Sequence, residues 1–204
     1  MPAFAFGELF PYAHYMAETR TIFFVGKPGC GKGTQAKLLS EATGWPVISA
    51  GKQFRAIAAE DTPVGRKVKS EIDAGLLAPH WFAMYLYQKS LFALEERTSV
   101  IFDGFNRKLP EAELVVSSLI WLERSFSVVH ISVSDEEVER RLDLRKNIDG
   151  RADDHVVEER LKEYYEYTDP AIDIFRQANV LIEINGEQTP EQIAEDIKTA
   201  LHLS

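Results

Sequence analysis

Residues 26–34, GKPGCGKGT, decide the fold of this chain. They follow Thr21-Ile22-Phe23-Phe24-Val25, an apolar run rich in β-branched and aromatic residues that predicts a buried strand. They precede Gln35–Leu39, which reads as helix. A strand, a glycine-rich turn and a helix start are the context that a phosphate-binding loop requires. Glycines let backbone N–H groups turn inward with no Cβ in the way. Those groups and the helix N-terminus then cradle anionic oxygens. Lys32 adds a flexible point charge for the terminal phosphates. The candidate phosphate-binding residues are Gly29, Cys30, Gly31, Lys32, Gly33 and Thr34. A glycine turn without function would not require Gly26, Gly31 and Lys32 at this spacing after a buried strand. The general pattern places Ser or Thr directly after the lysine to hold magnesium. Here Gly33 takes that place and Thr34 follows.

Composition sets the bounds. A chain of 204 residues predicts one domain, with room for small mobile insertions. Apolar residues make up 45%, enough for a sizeable core. No apolar run approaches the length of a membrane span, and no basic-then-apolar leader is evident, so a cytoplasmic protein is expected. The single cysteine, Cys30, excludes an internal disulfide framework and a Cys-cluster zinc site. A net charge of −9 argues against general nucleic-acid binding. An acidic chain can still bind phosphates if its cations gather in one cleft.

Outward from the loop, Gly44 is placed to end the first helix. Trp45–Ser49, Ser99–Asp103, Phe126–Val133 and Val180–Ile184 read as further buried strands. Residues 81–97 carry Phe82, Tyr85, Leu86, Leu91 and Leu94 at helical spacing. Ser134-Asp135-Glu136-Glu137 reads as a capping box that opens a helix. A helix from Pro190 to Leu201 follows the Asn185-Gly186 turn. Five short strands alternating with helices predict an α/β fold, a parallel sheet covered on both faces. The loop after the first strand puts the site at the C-terminal edge of that sheet. Asp103 ends a strand and can organise magnesium through water. Residues 1–20 are aromatic-rich and precede the first strand. They read as an arm packed on the surface or as a contact for a partner.

The stretch GxPGxGKGTQ resembles the adenylate kinase family and its nucleoside monophosphate kinase relatives, which share Gly33. Further blocks carry the same resemblance in order from about Thr21 to the C-terminus. Ser49-Ala50-Gly51, Arg55 and Gly75-Leu76-Leu77-Ala78-Pro79 resemble the monophosphate-binding segment, in which Arg55 matches an arginine that grips the acceptor phosphate. Asp103-Gly104-Phe105-Asn106-Arg107 resembles Asp-Gly-Phe-Pro-Arg, with Arg107 as a second gripping arginine and Asn106 in place of the proline. Arg141, Arg145, Arg151 and Arg160 resemble the arginines of the lid, although interspersed acids also fit a salt-bridged surface. The loop between Arg145 and Asp153 is short, as in members with a small lid that carries no zinc. His155 stands where the family has Asn and reads as an exposed helix-start residue.

The resemblance implies a P-loop kinase fold with an acceptor segment at about 49–80 and a short lid at about 146–155. It implies a reversible kinase, ATP + NMP ⇌ ADP + NDP, with AMP as the first choice of acceptor and Mg²⁺ as cofactor. The implied clamp is Lys32 with Arg55, Arg107, Arg141, Arg145, Arg151 and Arg160. ATP would engage the loop with Arg141 and Arg145, and the acceptor would engage Ala50, Arg55, Gly104, Arg107, Glu111, Arg151 and Arg160. A monomer is expected, with small-molecule partners and neither nucleic acid nor membrane. Two positions leave the base open. Ala50 stands where adenylate kinases have Thr and looks more like UMP/CMP kinases. Glu111 stands where they place a Gln that reads the adenine edge. An ionised glutamate offers acceptors only, which suits cytosine or guanine, unless Glu111 points to solvent. A P-loop switch and a non-transferring ATP-binding protein are the alternatives from other classes. No guanine-reading Asn-Lys-x-Asp supports the former.

Overall fold

The computed structural model describes residues 19–146 and 156–203, with the backbone alone at 145 and 146. The N-terminal arm up to residue 18 and nearly all of the expected lid, including Arg151 and His155, lie outside the described residues.

Five strands form one parallel sheet: β1 (Thr21–Val25), β2 (Val47–Ser49), β3 (Val100–Asp103), β4 (Phe126–Ser132) and β5 (Leu181–Asn185). Their order is β2-β3-β1-β4-β5, with every pairing parallel. The strand expectations hold to within a residue or two at the ends. The phosphate-loop strand β1 is central and buried along its whole length. Its side chains alternate between two separate cores. Phe23 and Val25 join Tyr87, Phe102, Val115 and Phe175 on one face. Ile22 and Phe24 join Leu39, Ile101, Ile131 and Ile197 on the other. Covering both faces explains why β1 reads as a continuous apolar run rather than an alternating one. Each fully buried aromatic contributes roughly 1.5–3 kcal/mol relative to exposure. Phe23 and Phe102 stack at 5.1 Å across adjacent strands and fix their register.

Among the described residues the helices are α1 (Lys32–Thr43), α2 (Ala50–Ala58), α3 (Pro63–Asp73), α4 (His80–Phe92), α5 (Leu109–Trp121), α6 (Asp135–Lys146), α7 (Val157–Glu163), α8 (Asp169–Gln177) and α9 (Pro190–Ala200). Gly44 ends α1 in the left-handed conformation, its N–H donating to Ser40 O at 2.8 Å. None of the described helices is long and apolar enough to cross a membrane. α2 and α3 occupy the expected acceptor segment. Thr62 caps α3 through Gly65 N–H, with Pro63 as its first residue.

The expected capping box at Ser134 forms only in half. Glu137 N–H reaches Ser134 Oγ at 3.4 Å, but Ser134 N–H donates to Glu187 at 2.7 Å. The Glu137 carboxylate turns instead to Arg140 and Arg141. The Arg140 guanidinium, helped by Arg141, holds that carboxyl down at about 2. A charge-assisted pair outcompetes one neutral N–H. The complete capping box is at Thr189 and Gln192, opening α9.

Candidate active site

The parallel sheet turns all five C-terminal ends to one edge, and those of β1, β2 and β3 border one cleft of about 940 Å³. It is lined by the residues that follow those ends: Gly29 to Thr34 after β1 except the buried Cys30, Ala50 after β2, and Asp103 and Gly104 at β3.

The phosphate loop is held by its own backbone. Cys30 N–H donates to Lys27 O at 3.3 Å, and Gln35 N–H to Gly31 O at 3.0 Å. Gly31 caps α1 at φ 104, a conformation that strains any L side chain. Gly26 permits a close approach, since a Cβ there would stand 2.6 Å from Ile131 O on β4. The first turn of α1 thus starts at Lys32, three residues earlier than the helix read from sequence. Lys32 Nζ donates to Gly26 O and Lys27 O, both at 2.7 Å, and approaches Cys30 Sγ at 3.5 Å. Burial pushes its pKa below the usual lysine value; Arg107 adds to that, while Cys30 and Asp103 oppose it. An ammonium so desolvated gains most from an anion placed beside it.

Asp103 faces the loop. Ser49 Oγ donates to its Oδ2 at 3.2 Å, and a Cβ on Gly33 would stand 3.7 Å from the same oxygen. That is ordinary van der Waals distance, so the start of α1 and the carboxylate lie side by side. Among the described residues no group of three His, Cys, Asp or Glu is placed to hold a metal ion.

α2 and the β3–α5 turn both line the cleft. Ala50 is buried at the start of α2. The Arg55 guanidinium folds back along α2, 3.0 Å from where a Cβ on Gly51 would be. Arg107 Nε donates to Gly104 O at 2.9 Å, so its fork is anchored beside Asp103. Asn106 adopts φ 64 and is fully buried with both side-chain amide atoms unpartnered. Every described peptide bond is trans. Glu111 lies in the first turn of α5 and lines the cleft at 3% exposure. Its Oε2 accepts the Arg107 N–H at 2.8 Å. Glu111 therefore does not point to solvent.

α6 and α7 line the cleft as well. Arg141 donates to Cys30 O at 3.2 Å and to Gly186 O at 2.7 Å, joining the loop to the turn after β5. Arg145 lies one turn further along α6. Arg160 on α7 lines the cleft, its Cγ close to Gly75 at the end of the acceptor segment. The structure thus gathers Lys32, Arg55, Arg107, Arg141 and Arg160 on one cleft of an acidic chain.

Three features carried no readable signal in the sequence. Lys27 in the loop reaches Asp135 at 2.6 Å, and Tyr165 donates to the same carboxylate at 2.8 Å. Glu163 accepts the Leu77 N–H at 2.9 Å, joining the α3–α4 connection to α7. Residues Tyr164–Thr168 form one π-helical turn between α7 and α8, and Tyr164 and Thr168 line the cleft. Each joins residues distant in sequence or depends on a helical irregularity that no local pattern announces.

Comparison with known proteins gives consistent matches. The family model described as adenylate kinase matches residues 24–180. The adenylate kinase of Thermus thermophilus is 36% identical over 187 residues, covering 90% of this chain and 98% of its own length. That of Cyanothece sp. is 35% identical over 182 residues, covering 88% and 93%. That of Maricaulis maris is 35% identical over 185 residues, covering 88% and 97%.

Proposed function

This chain belongs to the adenylate kinase family of nucleoside monophosphate kinases, and we propose that its own reaction is ATP + AMP ⇌ 2 ADP. The observation that carries the reading is the gathering of Lys32 and four arginines around one cleft beside Asp103. Phosphoryl transfer demands positioning and charge neutralisation more than covalent work by the protein. An oxygen of the acceptor phosphate attacks the γ-phosphorus. The bond to the β–γ bridging oxygen breaks, and ADP leaves with that electron pair. The acceptor is already an oxyanion, so no general base is needed.

In this reading the loop N–H groups and Lys32 bind the β- and γ-phosphates. Arg55 and Arg107 fork onto the acceptor phosphate, where a guanidinium can bind two oxygens at once and stays charged. Arg141, Arg145, Arg151 and Arg160 neutralise the group in flight. Asp103, through water, would hold Mg²⁺. A single carboxylate anchored by Ser49 suits a cation that keeps most of its shell as water and phosphate oxygen. Magnesium, when bound, neutralises charge on the β- and γ-oxygens. Closing segments 49–80 and 146–155 would exclude water, whose attack wastes ATP. Action as a cytoplasmic monomer belongs to the same proposal.

A second reading keeps the mechanism and changes the acceptor to CMP, UMP or GMP. It is favoured by Ala50 and by the buried acid Glu111 in the acceptor half. Lys32→Ala tests the kinase reading itself. The variant should lose acceptor-dependent ADP release while keeping its far-UV circular dichroism. Retained turnover would remove the loop from the mechanism.

A further inference from the structure

The acceptor half of the cleft contains an acid that is almost wholly withdrawn from water. Glu111 is 3% exposed, and its Oε2 is held by a neutral backbone N–H, that of Arg107, at 2.8 Å. The Arg107 side chain is engaged elsewhere, its Nε donating to Gly104 O at 2.9 Å. A carboxylate withdrawn from water costs several kcal/mol unless strongly paired, and taking a proton is the cheaper outcome. A neutral carboxyl has one O–H donor and one carbonyl acceptor in a fork of the same shape as a glutamine amide. The Arg107 N–H meets Oε2, and the Lys108 N–H adds a second backbone donor to the carboxyl.

These two states match different bases. Adenine presents an acceptor, N1, beside a donor, the N6 amino group. Guanine presents two donors side by side, N1–H and the N2 amino group. We propose that the protonation state of Glu111 selects the acceptor base, the neutral carboxyl reading adenine and the carboxylate reading guanine. The proposal rests on the nucleoside monophosphate kinase reading above and adds a pH-dependent choice of substrate to it.

The charges around Glu111 decide how readily it switches. Arg107 and Lys108 in the turn before α5 favour the carboxylate, as do Arg55 of α2 and Arg160 of α7 across the same cleft. Asp103 of β3, Glu71 of α3 and Glu163 of α7 share that cleft and favour the neutral form. Burial outweighs the Arg107 and Lys108 N–H groups and the nearby cations and pushes the carboxyl above its ordinary range. An acceptor dianion seated on the arginines cancels part of their field and moves the balance further toward the neutral acid.

The test is the pH profile of kcat/KM for AMP and for GMP in the wild type and in Glu111→Gln. The variant carries an amide that cannot titrate. Dividing one profile by the other also cancels the acceptor phosphate's own ionisation near about 6. The wild-type/variant ratio for AMP should fall about tenfold per pH unit above the Glu111 pKa. The GMP/AMP preference of the wild type should rise over the same range and that of the variant should not. Parallel profiles would overturn the proposal while leaving the kinase intact. No acceptor-dependent ADP release at any pH in either protein would overturn the kinase reading and the proposal with it. If Glu111→Gln does not fold, AMP binding by the wild type decides alone. Calorimetry above the Glu111 pKa in buffers of different ionisation enthalpy should register proton uptake with AMP and none with GMP. Equal uptake with both would overturn the proposal.

Discussion

Lys27 and Asp135 stand 108 positions apart in sequence and meet at 2.6 Å, tying the phosphate loop to the first turn of α6. The carbonyl of Lys27 also holds Lys32 Nζ, and α6 carries Arg141. One ion pair therefore fixes the loop peptide that positions Lys32 relative to the arginine helix. Lys27→Ala should lower kcat several-fold with a smaller change in the acceptor KM. The pair is partly exposed, so its loss should cost no more than about 1 kcal/mol of stability.

The Lys27 ammonium, aided by Tyr165, holds the Asp135 carboxyl below its ordinary 3.8. A depressed carboxyl stabilises the fold above its unfolded value and loses that contribution as pH falls through the folded one. The stability gap between wild type and Lys27→Ala in urea should thus be full at pH 7 and shrink below about pH 4. A gap that persists unchanged at pH 2 would dissociate it from this pair.

Asn106 holds φ 64 where proline would need about −65°. Asn106→Pro should therefore rebuild the turn that anchors Arg107, costing about 1–3 kcal/mol and raising the KM for the acceptor. Asn106→Gly accepts the positive φ and removes two unpartnered amide atoms. It should be neutral or stabilising in urea unfolding. Equal losses for both variants would show that the amide, not the backbone angle, is what the site needs.

The Leu77 N–H and the Glu163 carboxylate join the α3–α4 connection to α7 at 2.9 Å. Glu163→Ala should weaken the acceptor by about 1 kcal/mol, roughly fivefold in KM, and leave the KM for ATP nearly unchanged. A change confined to ATP would assign Glu163 to the donor half.

The framework of the fold was legible because it is written in local patterns. β1, the glycine spacing after it and the alternation of apolar runs with helical ones each span fewer than twenty residues. The gathering of Lys32, Arg55 and Arg107 followed from the family blocks. Contacts at long sequence distance left no trace, as Lys27–Asp135 and Leu77–Glu163 show. The Ser134 capping box was misread because a motif names possible donors and acceptors, not the stronger partner nearby. Glu137 found Arg140 and Arg141, and Glu187 took its place. The burial of Glu111 was equally invisible, since an acid in the first turn of a helix ordinarily faces water.

Burial raises the Glu111 carboxyl above its ordinary value, against the pull of the Arg107 N–H and nearby cations. A raised carboxyl contributes fully below its unfolded pKa, and the contribution is lost as pH rises through the folded one. Glu111→Gln should therefore gain stability relative to the wild type as pH rises from about 4.5, measured by thermal unfolding. A constant difference across that range would place the carboxylate in a solvated or paired setting.

Acceptor-dependent phosphoryl transfer is read directly as ADP release from ATP and Mg²⁺ with AMP, CMP, UMP or GMP in parallel and without acceptor. Release should depend on an acceptor, with AMP foremost. ADP released equally without acceptor, or no release with any of the four, would contradict it.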